Sequence, residues 1–382
     1  MTQVSLITTG GTIASSRHGA GWAADTPGGS VLAGTPVPSG VHVRVVDLLT
    51  LNSARLTTTH QLALLRAVQC ELARPEVAGV VVSHGTDTLE ESAFLVDLHH
   101  ADHRPVVFTG AQLPFDAEDG DGPGNLRDAL LAAATLTEVG TVVVFDGRIH
   151  PARGTVKSHT LDLDAFASPT GPIGEVGYAR VALTRRPARP DALPLPREPR
   201  TPPRVDVVTH HCDADPVLFR AALAAGAEGV VLVATGAGNA TPDFVRAVAE
   251  ATARGVLVAL TTRVAGGPVA ELYTHGGAVD LVAAGAVPTG VLRAGQARIA
   301  VLSALLATPD TEQRRAYLRH VLALPEPADD PTGDEPTGDD PTGDDPTGDD
   351  PTGDDPTGED GTANSGPDRG CAAAPTEMEP AR

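Results

Sequence analysis

Apolar and polar positions alternate along most of the chain in two distinct patterns. Short runs rich in Val, Ile and Leu are typical of strands buried on both faces of a sheet, and they occupy residues 4–7, 41–46, 79–82, 106–108 and 141–145. Longer segments with apolar residues three or four positions apart predict helices at residues 60–73, 90–96 and 125–136. Because strands and helices alternate, the pattern predicts an α/β fold with a doubly wound parallel sheet.

A second α/β unit follows a proline-rich segment. Strands are predicted at residues 205–209, 229–234 and 256–261, and helices at 216–225, 241–253 and 296–307, the last being the final element. We therefore expect four regions: an N-terminal α/β domain (residues 1–186), a stiff linker (187–204), a smaller C-terminal α/β domain (205–324) and a tail (325–382).

Polar clusters follow two of the predicted strands. Residues 83–88 (SHGTDT) come after the strand at 79–82, and residues 8–15 (TTGGTIAS) come after the first strand. Open α/β sheets bind their ligands at the carboxyl ends of the strands, so we expect the two clusters to converge on one cleft. A purely structural alternative is a helix cap at Thr88 or Asp87, completed by Glu91 as a capping box. That alternative leaves most of the cluster unexplained.

The glycine pair Gly10-Gly11 allows positive φ angles and a close approach of backbone N–H groups to a ligand. The cluster has neither the GxGxxG spacing nor a Walker lysine, so nucleotide binding is disfavoured. Residues 16–40, rich in Gly, Ala, Ser and Pro, predict a long loop of the kind that forms lids, and Trp22 lies within it. Residues 146–159 are polar and predict a β-hairpin or loop.

The net charge of −21 is concentrated at the C-terminus. Residues 325–382 hold 18 of the 49 acidic residues and 2 of the 28 basic ones, which leaves a net charge of −5 on the rest. The chain has no basic stripe, so nucleic acid is not an expected partner. Residues 331–360 are six copies of PTG followed by two acids, without an apolar residue to bury, and they predict a disordered tail.

The three cysteines, Cys70, Cys212 and Cys371, do not form a CxxC motif or an even set, so a disulfide framework is not predicted. Cys70 lies in an amphipathic pattern and is expected to be a small buried residue. The first residues lead directly into a strand, and no apolar run reaches membrane-spanning length. The prediction is a cytoplasmic protein that does not act at a membrane.

Two histidine-rich segments raise the alternative of a metal site. His99 and His103 are four residues apart, but they follow a helix, where histidine also suits the helix dipole. His210, His211 and Cys212 follow a strand of the second domain and are equally suited to lining a cleft or an interface. A metal is the less favoured interpretation of both segments.

Five segments resemble the bacterial-type L-asparaginase/glutaminase family. TTGGTIAS and SHGTDTLEESA stand at two strand ends in the family's order. Three further segments are similar to the family's loops: TGAQLPFDAEDGDGPGNLRDAL, ARGTVKSHT and ATGAGN. Together they cover residues 1 to about 320, which is the whole chain apart from the tail.

The resemblance implies hydrolysis of L-asparagine to L-aspartate and ammonia without a metal or other cofactor. It implies that Thr9 is the nucleophile and that Thr86, Asp87 and Lys157 complete the catalytic group. It further implies sites at the interface of a homodimer, usually within a homotetramer, with Asn239 approaching the partner's cleft.

The residues support this chemistry independently of the family. A threonine hydroxyl needs a base to attack an amide, and Lys157 near Thr86 and Asp87 would serve in its neutral form. Asp87 would orient the lysine and also bind the α-amino group of the substrate, while backbone N–H groups at Gly85 and Thr86 suit a developing oxyanion. Which threonine attacks stays open on the residues alone.

Three positions depart from the family's pattern. Trp22 falls near the lid tyrosine, Ala54 follows the substrate-binding Ser53 where many members have glutamine, and Tyr273 falls near a glutamate that the neighbouring subunit supplies in some members. The alternatives are therefore hydrolysis of L-glutamine or another side-chain amide, the glutamine-hydrolysing subunit of a tRNA amidotransferase, or a non-catalytic homologue that binds an amino acid.

Overall fold

The structure, a computed structural model, describes residues 2–196 and 201–322. Its strands are β1 (Thr2–Gly10), β2 (Ser15–His18), β3 (Gly21–Ala24), β4 (Val41–Leu51), β5 (Val77–Ser83), β6 (Val106–Thr109), β7 (Thr141–Phe145), β8 (Arg148–Pro151), β9 (Val156–Lys157), β10 (Phe166–Ala167), β11 (Gly174–Gly177), β12 (Arg180–Leu183), β13 (Val205–Thr209), β14 (Gly229–Ala234), β15 (Leu257–Thr262) and β16 (Val287–Pro288). Its helices are α1 (Gly28–Ala33), α2 (Thr58–Leu72), α3 (Leu89–Leu98), α4 (Gly122–Thr135), α5 (Val217–Ala224), α6 (Pro242–Ala253), α7 (Ala278–Ala283), α8 (Ala294–Ala307) and α9 (Thr311–Leu322).

The larger sheet has the strand order β12–β11–β8–β7–β6–β5–β1–β4. The run from β4 to β7 is parallel, and helices cover both of its faces. Leu6 packs in one cluster with Leu126 of α4, whereas its neighbour Ile7 packs on the opposite face with Leu65 of α2, because side chains alternate along a strand. The predicted doubly wound α/β fold is confirmed.

The other end of this sheet is antiparallel, which the sequence pattern did not specify. Asp146 and Gly147, with φ angles of 47° and 70°, form a tight turn that folds β8 back onto β7. Two consecutive residues with positive φ match the right-handed twist of a hairpin. Of the hairpin or loop predicted at residues 146–159, the turn and β8 form a hairpin with the preceding strand β7, which extends the sheet, whereas β9 pairs with β10 in a separate ribbon.

The smaller sheet is parallel, with the order β13–β14–β15–β16. One face packs against α5, α6 and α7, and the other against α8 and α9. Helix α8 also contacts α3 of the first unit, so that Ile299 shares one apolar cluster with Phe94 of α3 and Val231 of β14. A helix buried between two layers has to be apolar on all sides, which explains the composition of α8.

Several local predictions were wrong. Residues 16–40 are not one long loop, because they contain the β2–β3 hairpin and α1. Helix α8 is not the last element, since α9 follows it. The capping box at α3 does not form, because the Thr88 hydroxyl donates to the carbonyl of Ser53 instead. Cys70 is exposed and not buried.

Within the described residues, no helix is both long enough and apolar enough to cross a membrane. The tail predicted at residues 325–382 lies outside the described part of the chain, as does the central portion of the predicted linker, residues 197–200.

Candidate active site

The two predicted polar clusters meet at the carboxyl edge of the larger sheet. Strands β1 and β5 are parallel neighbours, with Thr8 opposite Ser83. Beyond the strands, Gly11 and Gly85 are so close that a Cβ atom on Gly11 would overlap the Gly85 backbone. Gly11 also has a φ of 83°, so this position requires glycine on two grounds. The glycines thus let the two turns approach backbone to backbone.

Thr9 is the buried hydroxyl of the first turn. Its side chain is 1% exposed, and its Oγ1 donates a hydrogen bond to the carbonyl oxygen of Ser83 at 3.0 Å. The hydroxyl proton is therefore engaged by the neighbouring strand. The oxygen lone pairs remain available for a reaction once a base takes that proton.

Thr86, Asp87 and Lys157 form a compact polar group at the second turn. Lys157 Nζ donates to Thr86 Oγ1 at 2.8 Å and to Asp87 Oδ1 at 3.1 Å. The lysine side chain is 18% exposed and the Asp87 side chain 52%. The structure therefore brings three of the four predicted catalytic residues into one hydrogen-bonded group, although Lys157 lies 70 residues after Asp87.

Lys157 is the only lysine in the chain, and the other 27 basic residues are arginines. An arginine guanidinium does not lose its proton in proteins, whereas a lysine amine can. The uniqueness of Lys157 is a signal in the sequence that points to a site requiring an amine.

Gln112 was missed by the sequence analysis. Thr86 Oγ1 donates to Gln112 Oε1 at 3.2 Å, while Gln112 Nε2 donates to the carbonyls of Asp162 at 3.0 Å and Thr160 at 3.3 Å. The carboxamide is therefore oriented with its oxygen towards the threonine. Its position just beyond β6, at the carboxyl edge of the same sheet, is the signal that could have identified it.

The second turn also presents backbone donors. Among the described residues, the N–H groups of Gly85 and Thr86 have no acceptor. Ser53, which is 3% exposed, lies beside Gly85. A Cβ atom added to Gly85 would be only 2.6 Å from Ser53 Oγ. Ser53 and Gly85, both predicted to bind substrate, are thus adjacent in the structure.

The His84 side chain links the second turn to helix α3 through hydrogen bonds. It is fully buried, with Nδ1 2.8 Å from the Gly85 carbonyl oxygen and Nε2 3.0 Å from Ser92 Oγ. Burial lowers the pKa of His84 to about 4, so the ring is neutral at pH 7. A neutral ring that faces a carbonyl must carry its proton on Nδ1, and Nε2 then accepts from the serine.

The backbone of Lys157 is held by a hydrogen bond to the partly buried Glu90 of α3. Glu90 Oε2 accepts the backbone N–H of Lys157 at 2.6 Å. Burial, with a smaller contribution from the nearby Glu91 charge, raises the pKa of Glu90 to about 7, against the lowering effect of the Lys157 N–H and charge. Gln296 of α8, which is wholly buried, donates to the carbonyls of Ala152 and Thr155 at 2.8 and 2.9 Å.

The remaining predicted residues lie elsewhere. Asn239 belongs to the turn after β14, where its own carbonyl accepts from Thr235 and its buried Oδ1 has no partner among the described residues. Tyr273 is 58% exposed. Trp22 is exposed on the β2–β3 hairpin, with the Arg17 guanidinium 5.3 Å from the centre of its ring. Within one chain, none of the three bonds to the Thr86–Lys157 group.

The histidine-rich segments do not assemble ligands in this structure. His99 Nδ1 faces the carbonyl of Pro194 at 2.9 Å, and burial lowers its pKa. His210 packs edge-on against Phe244. In residues 2–196 and 201–322, no group of three or more His, Cys, Asp or Glu side chains is arranged to hold a metal ion.

The protein has two helix-covered, mainly parallel sheets, and the Thr86 hydroxyl, the Lys157 amine and the Asp87 carboxylate meet at the edge of the larger one. This combination is that of a two-domain α/β amidohydrolase. Residues 3–189 match the family model described as "Asparaginase, N-terminal", and residues 204–318 match "Glutaminase/Asparaginase C-terminal domain". The chain belongs to the asparaginase family, and the family predicted from its motifs is confirmed.

Individual relatives agree with this assignment. The chain is 35% identical over 291 residues to an L-asparaginase of Bacillus licheniformis, covering 75% of this chain and 89% of the relative. It is 36% identical over 326 residues to a probable L-asparaginase of Deinococcus radiodurans, covering 84% and 98%. The crystal structure of a probable cytoplasmic L-asparaginase from Campylobacter jejuni superposes with a TM-score of 0.76 at 26% identity, covering 83% of this chain and 99% of that chain.

Proposed function

We propose that this protein hydrolyses the side-chain amide of L-asparagine to L-aspartate and ammonia. The observation that carries the proposal is the Lys157 amine, which lies within hydrogen-bond distance of both Thr86 and Asp87 in a member of the asparaginase family. Amide hydrolysis needs an activated hydroxyl, a proton carrier and oxyanion donors, and we assign these roles to Thr9, to the Thr86–Lys157 pair and to the N–H groups of Gly85 and Thr86.

In the proposed reaction, Thr9 Oγ1 attacks the amide carbon and the hydroxyl proton passes to the Thr86–Lys157 pair. The C–N bond then breaks, and the nitrogen leaves as ammonia with a proton from that pair. Water then attacks the resulting ester and gives a proton to the same pair. The bond between the carbonyl carbon and Thr9 Oγ1 breaks, the pair returns a proton to Thr9, and L-aspartate is released. Since the Thr9 hydroxyl donates to Ser83, it has to rotate away from that carbonyl before it reacts.

The substrate's backbone groups would bind around the second turn. Asp87 bonds Lys157 through Oδ1 and is half exposed, so it can also bind an α-ammonium group. The hydroxyl of Ser53 suits the α-carboxylate, and the free N–H groups of Gly85 and Thr86 suit the oxyanion.

We further propose a homodimer or homotetramer in which Asn239 and Tyr273 reach the partner's substrate. Two observations support this proposal: Asn239 Oδ1 is buried without a hydrogen-bond partner among the described residues, and Tyr273 is 58% exposed. The proposed domains are residues 1–186 and 205–324, joined by the linker at 187–204. We also propose a cytoplasmic location, which is supported by the similarity to the probable cytoplasmic L-asparaginase of Campylobacter jejuni.

The test is ammonia release from L-asparagine by the purified protein. Thr9→Ala and Thr86→Ala should each lower turnover by about 10²–10⁴-fold with the fold retained, since both hydroxyls react or carry protons. Thr59→Ala, at an exposed position of α2, is the matched control and should keep native turnover. Near-normal turnover by Thr86→Ala would exclude the proposed catalytic group.

The same assay separates the alternatives. Faster ammonia release from L-glutamine than from L-asparagine would assign the site to glutamine. Calorimetric binding of L-asparagine without ammonia release would assign the protein to the non-catalytic, amino-acid-binding class.

A further inference from the structure

Lys157 lies on one of the shortest strands of the structure. Strand β9 has two residues and pairs only with β10, with Phe166 opposite Lys157. Two residue pairs of a separate ribbon hold a backbone weakly. The position of the lysine therefore depends on contacts from other elements.

The main such contact comes from the helix that begins beside the second turn. Glu90 Oε2 accepts the Lys157 N–H at 2.6 Å, and Glu90 lies three residues after Asp87. Lys157 is thus held at both ends by one βα unit. Its amine contacts Thr86 and Asp87, and its backbone contacts Glu90.

The C-terminal α/β unit supports this contact through the first turn of α8. Gly295 packs against the Glu90 carboxyl: a Cβ atom added to Gly295 would be only 3.1 Å from Glu90 Oε1. The Gln296 carboxamide accepts from the Gly154 N–H at 2.7 Å and donates to the Glu90 carbonyl at 3.4 Å. The helix therefore contacts both the glutamate and the segment that leads to Lys157.

Two charged groups face the Glu90 carboxyl among the described residues. One is Lys157 itself, on β9, and the other is Glu91, on α3. Glu91 is paired with Arg298 of α8 at 3.3 Å and makes no contact with Lys157. Glu91 is therefore a matched control: an adjacent, partly buried acid that contacts the same helix.

We propose that Glu90 is a positioning residue, whose carboxylate, backed by the first turn of α8, holds the Lys157 backbone so that the amine reaches Thr86. The proposal rests on the proposed function for its kinetic consequences, but the contact itself does not. An ionised carboxylate is a stronger acceptor than a neutral carboxyl or a carboxamide.

The kinetic test compares Glu90→Gln with Glu91→Gln across pH. Because glutamine mimics the protonated acid, and the pKa of Glu90 is raised to about 7, Glu90→Gln should match native turnover near pH 5.5. It should fall about 10-fold below native near pH 8.5, where the native carboxylate holds the lysine in place. KM should change little, and Glu91→Gln should follow the native protein throughout.

The unique lysine permits a second test that does not require activity. Growth on [α-¹⁵N]lysine labels one backbone amide, that of Lys157. Its resonance should titrate with a midpoint near pH 7 in the native protein, but not in Glu90→Gln. It should still titrate in Glu91→Gln, at a lower pH, because that variant removes a charge that raises the pKa of Glu90. The native titration needs no variant, so it stands even if Glu90→Gln fails to fold.

The outcomes are distinguishable. If the native protein releases no ammonia but the amide titrates as expected, the proposed function fails and the Glu90–Lys157 contact stands. If the amide titrates in the same way in the native protein and in Glu90→Gln, or if Glu90→Gln keeps native turnover at pH 8.5, Glu90 does not position the lysine.

Discussion

The two parallel sheets of this protein share one architecture, but they differ at their carboxyl edges. At the larger sheet, side chains from distant segments bond to one another, as in the chain from Lys157 through Thr86 to Gln112. At the smaller sheet, the hydroxyls of Thr235 and Thr262 donate to carbonyls of the turn at residues 236–239, and Thr262 also accepts from the N–H of nearby Val264, so these bonds are local and involve backbone groups.

The edge of the smaller sheet also differs in having buried polar atoms without hydrogen-bond partners. The Asn239 oxygen and both ring nitrogens of His210 are buried without partners in the described chain. A buried polar group left unpaired costs on the order of 1–3 kcal/mol, so such groups mark positions where another molecule would supply the partner. We call the larger sheet's edge the complete edge because its side chains are paired within the chain, although the Gly85 and Thr86 N–H groups stay open for a substrate. We expect the other, incomplete edge to find partners for its side chains on a second copy.

The largest effect is expected from removing the amine at the complete edge. Both Lys157→Met and Lys157→Arg should lower turnover by about 10³-fold or more, because methionine has no amine and the arginine guanidinium cannot give up its proton. Steady-state ammonia release would measure the loss. If Lys157→Arg keeps more than a tenth of native turnover, the residue acts through its charge and not as a base.

The incomplete edge is tested by combining two inactive chains. Thr9→Ala and Asn239→Ala should each be inactive alone, and their co-expression should restore activity because one site of a mixed dimer carries neither lesion. Random pairing predicts recovery of about a quarter of native activity, since half of the dimers are mixed and each has one intact site. Co-expressed, affinity-purified mixtures without any recovery would rule out a site shared between subunits.

The third prediction concerns stability and the buried His84 beneath the complete edge. Its pKa is lowered to about 4 by burial, so its contribution to stability is present above the unfolded pKa of about 6.5 and is lost as the pH falls towards 4. The loss should be on the order of 3 kcal/mol over that window. Glu90, whose pKa is raised to about 7, changes stability in the opposite direction, so only a comparison of variants isolates the histidine.

His84→Asn keeps a donor for the Gly85 carbonyl and removes the titration. The free energy of unfolding in urea should therefore depend less steeply on pH between 4 and 6.5 than in the native protein. His103→Asn, at a side chain that is 64% exposed, is the control and should leave the native slope. Equal slopes in the native protein and His84→Asn would contradict the prediction.

Much of the candidate site follows from local patterns. The alternation of apolar strands and amphipathic helices predicted the α/β fold, and the carboxyl ends of β1 and β5 were expected to meet because parallel neighbours end at one edge. Thr9 is the penultimate residue of β1, and Thr86 and Asp87 follow β5 within four residues. Their placement needed only the strand positions and the direction of the chain.

The errors have a common physical origin. The burial of a helix face depends on what packs against it, so an amphipathic pattern around Cys70 did not reveal that the thiol is exposed. A cap of α3 by Thr88 was the structural alternative, but the Thr88 hydroxyl donates instead to the carbonyl of Ser53, 35 residues earlier. Both outcomes depend on neighbours that are remote in the sequence.

The sequence by itself determined the elements, the strand ends that carry hydroxyl groups and the single lysine of this protein, because each is a property of consecutive residues or of composition. Only the tertiary structure decided which groups meet: Gln112 with Thr86, Glu90 with the Lys157 backbone, and α8 with both units. The reason is that hydrogen bonds and packing act over a few ångströms in space, whatever the separation along the chain.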